Sequence, residues 1–326
     1  MPGERDRFDG TVEFNRPLCR EHFQLRIRVN EFPPTEPGQF IQLGCRGPDR
    51  AIDCDALFGR NLEWLDGQEP GLKQQELRGS LAMLRRPFSL AGRGDDDRGV
   101  WMDVIHRVVG VGTEWLSELA EGDAIDLIGP LGNAFPLIEG KSLGLLVGGG
   151  VGLPPMFYLA EALHEADWDA IGFVGAMTRD LLAVTFDGGG DVESQPIDSV
   201  HEFARYGFPT MVTTDDGSFG LPGRITSGLE RVMEKLTDED AARAVVYTCG
   251  PQPMMHAVAK LAEARDIECR VCLEQSMACG MGTCQSCIVQ IEDPIRPHGT
   301  TDDGRPWRYK LACTDGPVFG SDQVIW

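Results

Sequence analysis

The sequence predicts a multi-domain β plus α/β protein. An N-terminal antiparallel β-barrel comes first, then a central doubly wound parallel sheet, then a small C-terminal domain built on a cysteine loop. Three observations carry this. Short alternating stretches separated by turn residues fill much of residues 1–140, as in a barrel. From Lys141, apolar runs alternate with stretches of helical period, the pattern of a parallel sheet covered on both faces. From Cys269 the chain becomes rich in thiols and glycine. A chain of 326 residues suits two or three domains. The expected boundaries are 1–140, 141–268 and 269–326, with residues 46–84 as an insertion in the first.

In "FQLRIRV", Phe23, Leu25, Ile27 and Val29 alternate with Gln24, Arg26 and Arg28, the two-residue period of a half-buried strand. The stretch "EFPPTEPGQF" reads as a loop and "FIQLG" (40–44) as the next strand. Residues 46–84 are charged and hold turn formers, hence the insertion or long loop. Strands return at "VWMDVIHRVV" (100–109) and "AIDLIG" (124–129), with one helix near "TEWLSELA" (113–120). The second segment opens with "SLGLLVGGGVGLPPMFYLAEALHEA": an apolar run, a glycine loop and a helix. Met156, Leu159 and Leu163 share one face of that helix. Pro154 and Pro155 suit its first turn, where an amide hydrogen has no intrahelical partner. "AIGFVGAM" (170–177), "PTMVTTDD" (209–216) and "AVVYTCG" (244–250) read as further buried strands.

A formal net charge of −21 argues against a nucleic-acid partner, since phosphate binding needs clustered Lys and Arg; it reads as solubility. The start "MPGERDRFDG" lacks the apolar core of a signal peptide. No apolar run approaches the roughly 20 residues that cross a bilayer. These features predict a cytoplasmic protein with no membrane association.

Four of the ten cysteines fall within "CLEQSMACGMGTCQSCIVQ" (272–290). In a reducing compartment such a cluster holds metal or does redox work. The spacing is Cys279-x4-Cys284-x2-Cys287, with Cys313 following after 25 residues. Three thiolates on a glycine-containing loop and a distant fourth match a plant-type [2Fe–2S] centre. Structural zinc is the competitor, but zinc sites pair two short knuckles, and only Cys284 and Cys287 have that spacing. Reduced, packing cysteines are the third reading, and the one given to Cys269 and Cys272.

"Arg86-Pro87-Phe88-Ser89" offers a cation, an aromatic wall and a hydroxyl in one extended stretch, the types a flavin dinucleotide requires. "Gly110-Val111-Gly112-Thr113" opens a helix whose amides attract an anion such as pyrophosphate. Either alone would read as an ordinary strand or turn. In the second segment, Gly148, Gly149, Gly150 and Gly152 lie between strand and helix, where backbone approaches a dinucleotide. The spacing is not G-x-G-x-x-G. Cys249, Gly250 and Pro251 end another parallel strand, the edge where α/β sheets bind ligands. Asp215 and Asp216 also follow a strand and would repel a 2′-phosphate, which favours NAD(H); Arg179 argues the other way.

Taken in order, "RRPFS", "RVVGVGT", "GPLGNAF", "LLVGGGVGLPP", "TDDGSFG", "CGPQPMM", "EQSMACGMGTCQSC" and "CTDGPVF" span residues 85–319. The ensemble resembles the ferredoxin–NADP⁺ reductase-like family, and within it the electron-transfer subunits of dihydroorotate dehydrogenase B. The resemblance implies FAD contacts at Arg86, Pro87, Phe88 and Ser89, at Ile105, His106 and Arg107, and at Gly112 and Thr113. It implies cluster ligation by Cys279, Cys284, Cys287 and Cys313. It further implies an FMN-containing dihydroorotate dehydrogenase catalytic subunit as partner, in a heterotetramer of two such pairs, serving pyrimidine biosynthesis. Three departures stand out: His106 occupies a position where the family commonly has tyrosine, and the segments 46–84 and 291–308 are long.

NADH gives electrons in pairs and an iron–sulfur centre takes them singly, so FAD, which handles both, belongs between them. Ser89 and Cys249 are the candidates for positioning the flavin and the nicotinamide. A reductase subunit of a hydrogenase, or a ferredoxin:NADP⁺ oxidoreductase, would carry the same cofactor motifs. A redox-sensing regulator without turnover is the alternative of another class.

Overall fold

The computed structural model describes residues 6–45, 85–187 and 196–326; the insertion expected at 46–84 lies outside them. Six strands close an antiparallel barrel: β1 (Asp6–Cys19), β2 (His22–Val29), β3 (Phe40–Leu43), β4 (Arg86–Asp96), β5 (Gly99–Arg107) and β6 (Ala124–Leu131), in the order β1-β2-β5-β4-β3-β6. Alternation decides which side chains point inward. Leu25, Ile27 and Val29 are buried opposite Val104, Met102 and Val100 of β5. Each such burial stabilises by about 1.5–3 kcal/mol. On the outer face Arg26 donates to both carboxylate oxygens of Asp103, at 2.6 and 2.7 Å. The alternation breaks at the start of β2. Phe23 is only half-buried, while His22 is buried, because its outward face meets the second domain. Among the described residues, the one helix between barrel strands is α1 (Val111–Ser117), capped by Gly110 and so placed earlier than the 113–120 expected.

The parallel domain contains β7 (Leu143–Gly149), α2 (Leu153–Glu165), β8 (Asp169–Ala176), α3 (His201–Ala204), β9 (Thr210–Thr214), β10 (Leu221–Pro222), α4 (Ile225–Met233), α5 (Asp238–Arg243), β11 (Ala244–Cys249), α6 (Gln252–Glu263) and β12 (Glu268–Cys272). Met156, Leu159 and Leu163 of α2 are fully buried. The opposite face of α2 is also covered: Tyr158 reaches the barrel and donates to the Thr35 carbonyl at 2.7 Å.

The thiol segment supplies β13 (Ile288–Glu292), β14 (Gly299–Thr300) and β15 (Pro306–Leu311), a three-stranded sheet ordered β13-β15-β14, and then β16 (Val318–Gly320). β16 returns to the large sheet, whose order is β10-β9-β8-β7-β11-β12-β16, and pairs antiparallel with β12. β12 itself pairs in parallel with β11 through Cys272. Residue 269, where the sequence set the third domain's start, therefore lies inside the sheet. Part of the long 291–308 excursion is ordered as β14 and the start of β15. No helix among the described residues is long and apolar enough to cross a membrane.

Candidate cofactor cleft and thiol loop

The strand β4 begins with Arg86, Pro87, Phe88 and Ser89, registered opposite Leu43, Gln42, Ile41 and Phe40 of β3. Arg86 lies across the start of α1: a Cβ on Gly112 would stand 3.4 Å from its Cγ and Nε. The fold thus brings the cation of one motif to the glycine turn of the other. Thr113 organises that turn, its hydroxyl accepting from the Val109 amide at 2.9 Å and donating to the Gly110 carbonyl at 3.0 Å. Ile105 and His106 follow on β5. His106 is 1 % exposed, stacked on Phe23 at 5.7 Å and edge-on to Phe88 at 6.1 Å. Neither of its ring nitrogens has a partner among the described residues. Burial pushes its pKa down to about 4, so the ring is neutral. Buried polar atoms are nearly always satisfied. An orphaned imidazole between Phe23 and Phe88 fits a polar, flat ligand lying against this part of the barrel. Arg107 is directed elsewhere, onto Glu21 at 2.9 and 2.7 Å.

A cavity of about 470 Å³ opens at the carboxyl edge of the parallel sheet. Gly149 and Gly150 line it from the β7 turn, Asp215 from β9, Pro251 from β11 and Glu274 from the exit of β12, while His22 and Arg107 close it from the barrel. A second cavity, of about 520 Å³, lies at the opposite edge, beside Asp169 and Arg243. Only the first sits where parallel sheets take nucleotides. The four expected glycines divide their work. Gly149 and Gly150 face the cavity, whereas Gly148 gives room to Leu153 and Met156. A Cβ on Gly152 would overlap the carbonyl of Cys249, so glycine there lets the loop press against β11. The two aspartates also divide. Asp216 accepts from the amide and hydroxyl of Ser218 at 3.0 and 2.6 Å, and of the two aspartates Asp215 is the one that lines the cavity. The Arg179 guanidinium stacks on Phe219 at 4.8 Å; on the parallel-sheet side the cavity is lined instead by Arg224. Cys249 is 6 % exposed, and the neighbouring thiol of Cys272, its register partner on β12, together with burial holds its proton on.

The thiol loop runs from Cys279 to Cys287, turning at Gly280, Gly282 and Gln285 with positive φ. Among the described residues no three His, Cys, Asp or Glu side chains converge on one point. Instead the thiols form two pairs. Cys279 accepts from the Cys284 amide at 3.4 Å and contacts its thiol. Cys287 contacts Cys313 in the core. Two pairs suit a two-iron centre, which takes two cysteines per iron, better than zinc, which needs four ligands round one point. The pairs differ in environment. Hydrogen bonds from Ser286 and Cys279 push the Cys284 pKa down to about 6. Burial and the contact with Cys287 push that of Cys313 up to about 12.

The sequence reading missed the residues that dock this loop. Gln42, fully buried in β3, lies against Gly280, where a Cβ would come within 2.7 Å of its Nε2. Its signal was a lone amide inside an apolar strand. Asn133 accepts from the Val318 amide at 2.8 Å and donates to the Val318 carbonyl at 2.9 Å. It thereby joins "GPLGNAF" to "CTDGPVF". His22, Arg224 and Glu274 carried no sequence signal.

The family profile described as the iron-sulfur cluster binding domain of dihydroorotate dehydrogenase B matches residues 274–325. A "dihydroorotate dehydrogenase B (NAD(+)), electron transfer subunit" of Caldanaerobacter subterraneus subsp. tengcongensis is 29% identical over 99% of this chain and 100% of its own length. The protein of the same name from Geobacillus thermodenitrificans is 34% identical over 74% of this chain and 80% of its own. Among solved structures, an NADH-dependent reduced ferredoxin-NADP oxidoreductase studied for flavin-based electron bifurcation superposes with a TM-score of 0.68, at 25% identity. It covers 97% of this chain and 90% of that one.

Proposed function

The chain belongs to the family of dihydroorotate dehydrogenase B electron transfer subunits, and from that premise we propose how its own residues serve the role. It is an oxidoreductase subunit that moves electrons between NAD(H), FAD and a [2Fe–2S] cluster. It exchanges them with an FMN-containing dihydroorotate dehydrogenase subunit in the cytoplasm, in an assembly of two pairs. The observation that carries this reading is the seating of the thiol loop, at Gly280, against Gln42, in the strand paired with Arg86–Ser89.

Bound FAD supplies the exchange between paired and single electrons. The chain's residues bind and orient. Arg86 and the Gly112–Thr113 turn hold the pyrophosphate, and Pro87, Phe88, Ser89, Ile105 and His106 line the flavin site. Gly149, Gly150, Gly250 and Pro251 admit the nicotinamide nucleotide. Asp215 stands where it would repel a 2′-phosphate, which favours NADH. Cys279 and Cys284 take one iron, Cys287 and Cys313 the other.

The test is to purify the chain anaerobically and measure iron, acid-labile sulfide and flavin, then mix it with the FMN subunit and dihydroorotate. Flavin and cluster that bleach on addition of dihydroorotate support the reading. A chain that bleaches with NADH but never with dihydroorotate plus the FMN subunit overturns the partner assignment. The likeness to the ferredoxin-NADP oxidoreductase favours a second reading, in which the acceptor is a ferredoxin; bleaching by reduced ferredoxin alone would select it.

A further inference from the structure

We infer that His22 is a binding residue for the nicotinamide dinucleotide: its Nε2 accepts a hydrogen bond from a ribose hydroxyl of the ligand. The inference rests on the reading of the 470 Å³ cavity as the nucleotide site.

His22 opens β2, and it lines that cavity from the barrel side. It is 2 % exposed. Its Nδ1 lies 2.8 Å from the Arg20 carbonyl. A carbonyl oxygen only accepts, so Nδ1 carries the proton. Burial lowers the pKa of the ring from 6.5, so it is neutral at pH 7 and Nε2 keeps a lone pair. The two ring nitrogens point apart, so Nε2 faces away from the turn. Nε2 is buried and has no partner among the described residues. Buried polar atoms are nearly always paired, and this one belongs to a residue that borders an open cavity. Arg107, the register partner of His22 on β5, lines the same cavity but directs its guanidinium at Glu21, at 2.9 and 2.7 Å.

Position selects the group that His22 meets. The turn before it is pinned to the segment after β8. The Arg20 amide donates to the Asp180 carbonyl at 2.9 Å, and the two side chains pair at 3.2 Å. In the sheet, β8 lies between β9, which leads to Asp215, and β7, which ends at Gly149. A dinucleotide stretched along the carboxyl edge from Asp215 to Gly149 and Gly150 passes His22 with its middle, where the riboses and the pyrophosphate lie. A neutral lone pair needs a donor. Pyrophosphate oxygens offer none at pH 7, whereas a ribose hydroxyl does. The tie to Asp180 holds the imidazole in place before the ligand arrives, which lowers the ordering cost of the contact. A flavin ring N–H has the same donor chemistry, and the experiment separates the two sources.

The experiment uses flavin- and cluster-loaded protein carrying His22→Leu, His22→Gln or Asp215→Asn. Stopped-flow gives the NADH Kd and the rate constant of flavin bleaching at saturation. The titration is repeated with NADH analogues that each lack one ribose hydroxyl. Loss of one neutral hydrogen bond predicts a Kd raised about three- to tenfold in H22L, with the saturated rate constant unchanged. Glutamine, which keeps an acceptor oxygen at that reach, recovers most of the affinity. One analogue binds wild type as weakly as NADH binds H22L and loses nothing further in H22L, the non-additivity of a direct contact. Flavin content and midpoint potential stay at wild-type values. An H22L Kd equal to wild type, beside a raised ratio of NADPH to NADH turnover in D215N, overturns the inference and leaves the cavity reading intact. No change in either variant overturns both. Affinity lost equally for NADH and every analogue, or lost in H22Q as in H22L, assigns His22 to packing and overturns the inference. A shifted flavin potential in H22L with an unchanged NADH Kd places the donor on the flavin and overturns it as well. Should H22L fail to fold, wild type alone decides: analogues that all bind as tightly as NADH overturn the inference.

Discussion

His106→Phe should change the pH dependence of stability by an amount set by one buried ring. His106 is 1 % exposed, with no partner on either nitrogen among the described residues, and its pKa is pushed down from 6.5 to about 4. In the unfolded chain the same group titrates near 6.5. Between these values the unfolded state holds the extra proton, so acid favours unfolding. The stability tied to the neutral ring is whole above pH about 6.5 and is lost as pH falls toward 4. Integration gives about 2 kcal/mol lost by pH 5 and about 3 kcal/mol by pH 4. Phenylalanine does not titrate and packs between Phe23 and Phe88. Urea unfolding of flavin-free wild type and H106F at pH 7.5, 6, 5 and 4 should therefore show the two stabilities diverging by about those amounts, with wild type falling faster. The subtraction removes the carboxylates and His22, which titrate in both proteins. Parallel curves from pH 7.5 to 5 would refute the assignment of a neutral, unpartnered imidazole.

Asn133→Ala leaves the buried Val318 amide and carbonyl without their partner, a loss of about 2 kcal/mol. Hydrogen exchange should report it as faster exchange at Val318. Cys313→Ser should lower iron and sulfide content while flavin content and NADH Kd stay at wild-type values, read by metal analysis and titration. Asp215→Asn removes a carboxylate from the cavity and should raise the ratio of NADPH to NADH turnover by about tenfold, equivalent to about 1.4 kcal/mol. Gly152→Ala forces a methyl group against the Cys249 carbonyl; denaturant unfolding should show a cost of about 1–3 kcal/mol.

Where a local period or spacing encodes structure, the sequence was readable. Leu25, Ile27 and Val29 declared the inner face of β2, and they are buried. The run from Leu145 through Leu163 declared strand, turn and helix, and that unit folds as read. What it hid depends on tertiary register or on turns a few residues long. Asp215 and Asp216 are equivalent as text, yet the Ser218 turn captures only the second. Cys269 and Cys272 were grouped together, but three residues along a strand send them to opposite faces and opposite cores. The partnership of Cys249 with Cys272 follows from parallel pairing across 22 residues of intervening sequence, which no local pattern announces. Gln42 and Asn133 act on segments more than 180 positions away, and their chemistry is visible only once those segments meet.

The large sheet borrows its last strand, β16, from the thiol segment, and Asn133 clasps the same strand from the barrel side. Such a segment cannot swing like a tethered carrier. Spacing inside the molecule is frozen into the architecture, and only the outside protein has to travel. Thickening the solvent with sucrose should then slow encounter with that protein while leaving the internal leg of the journey at its original pace.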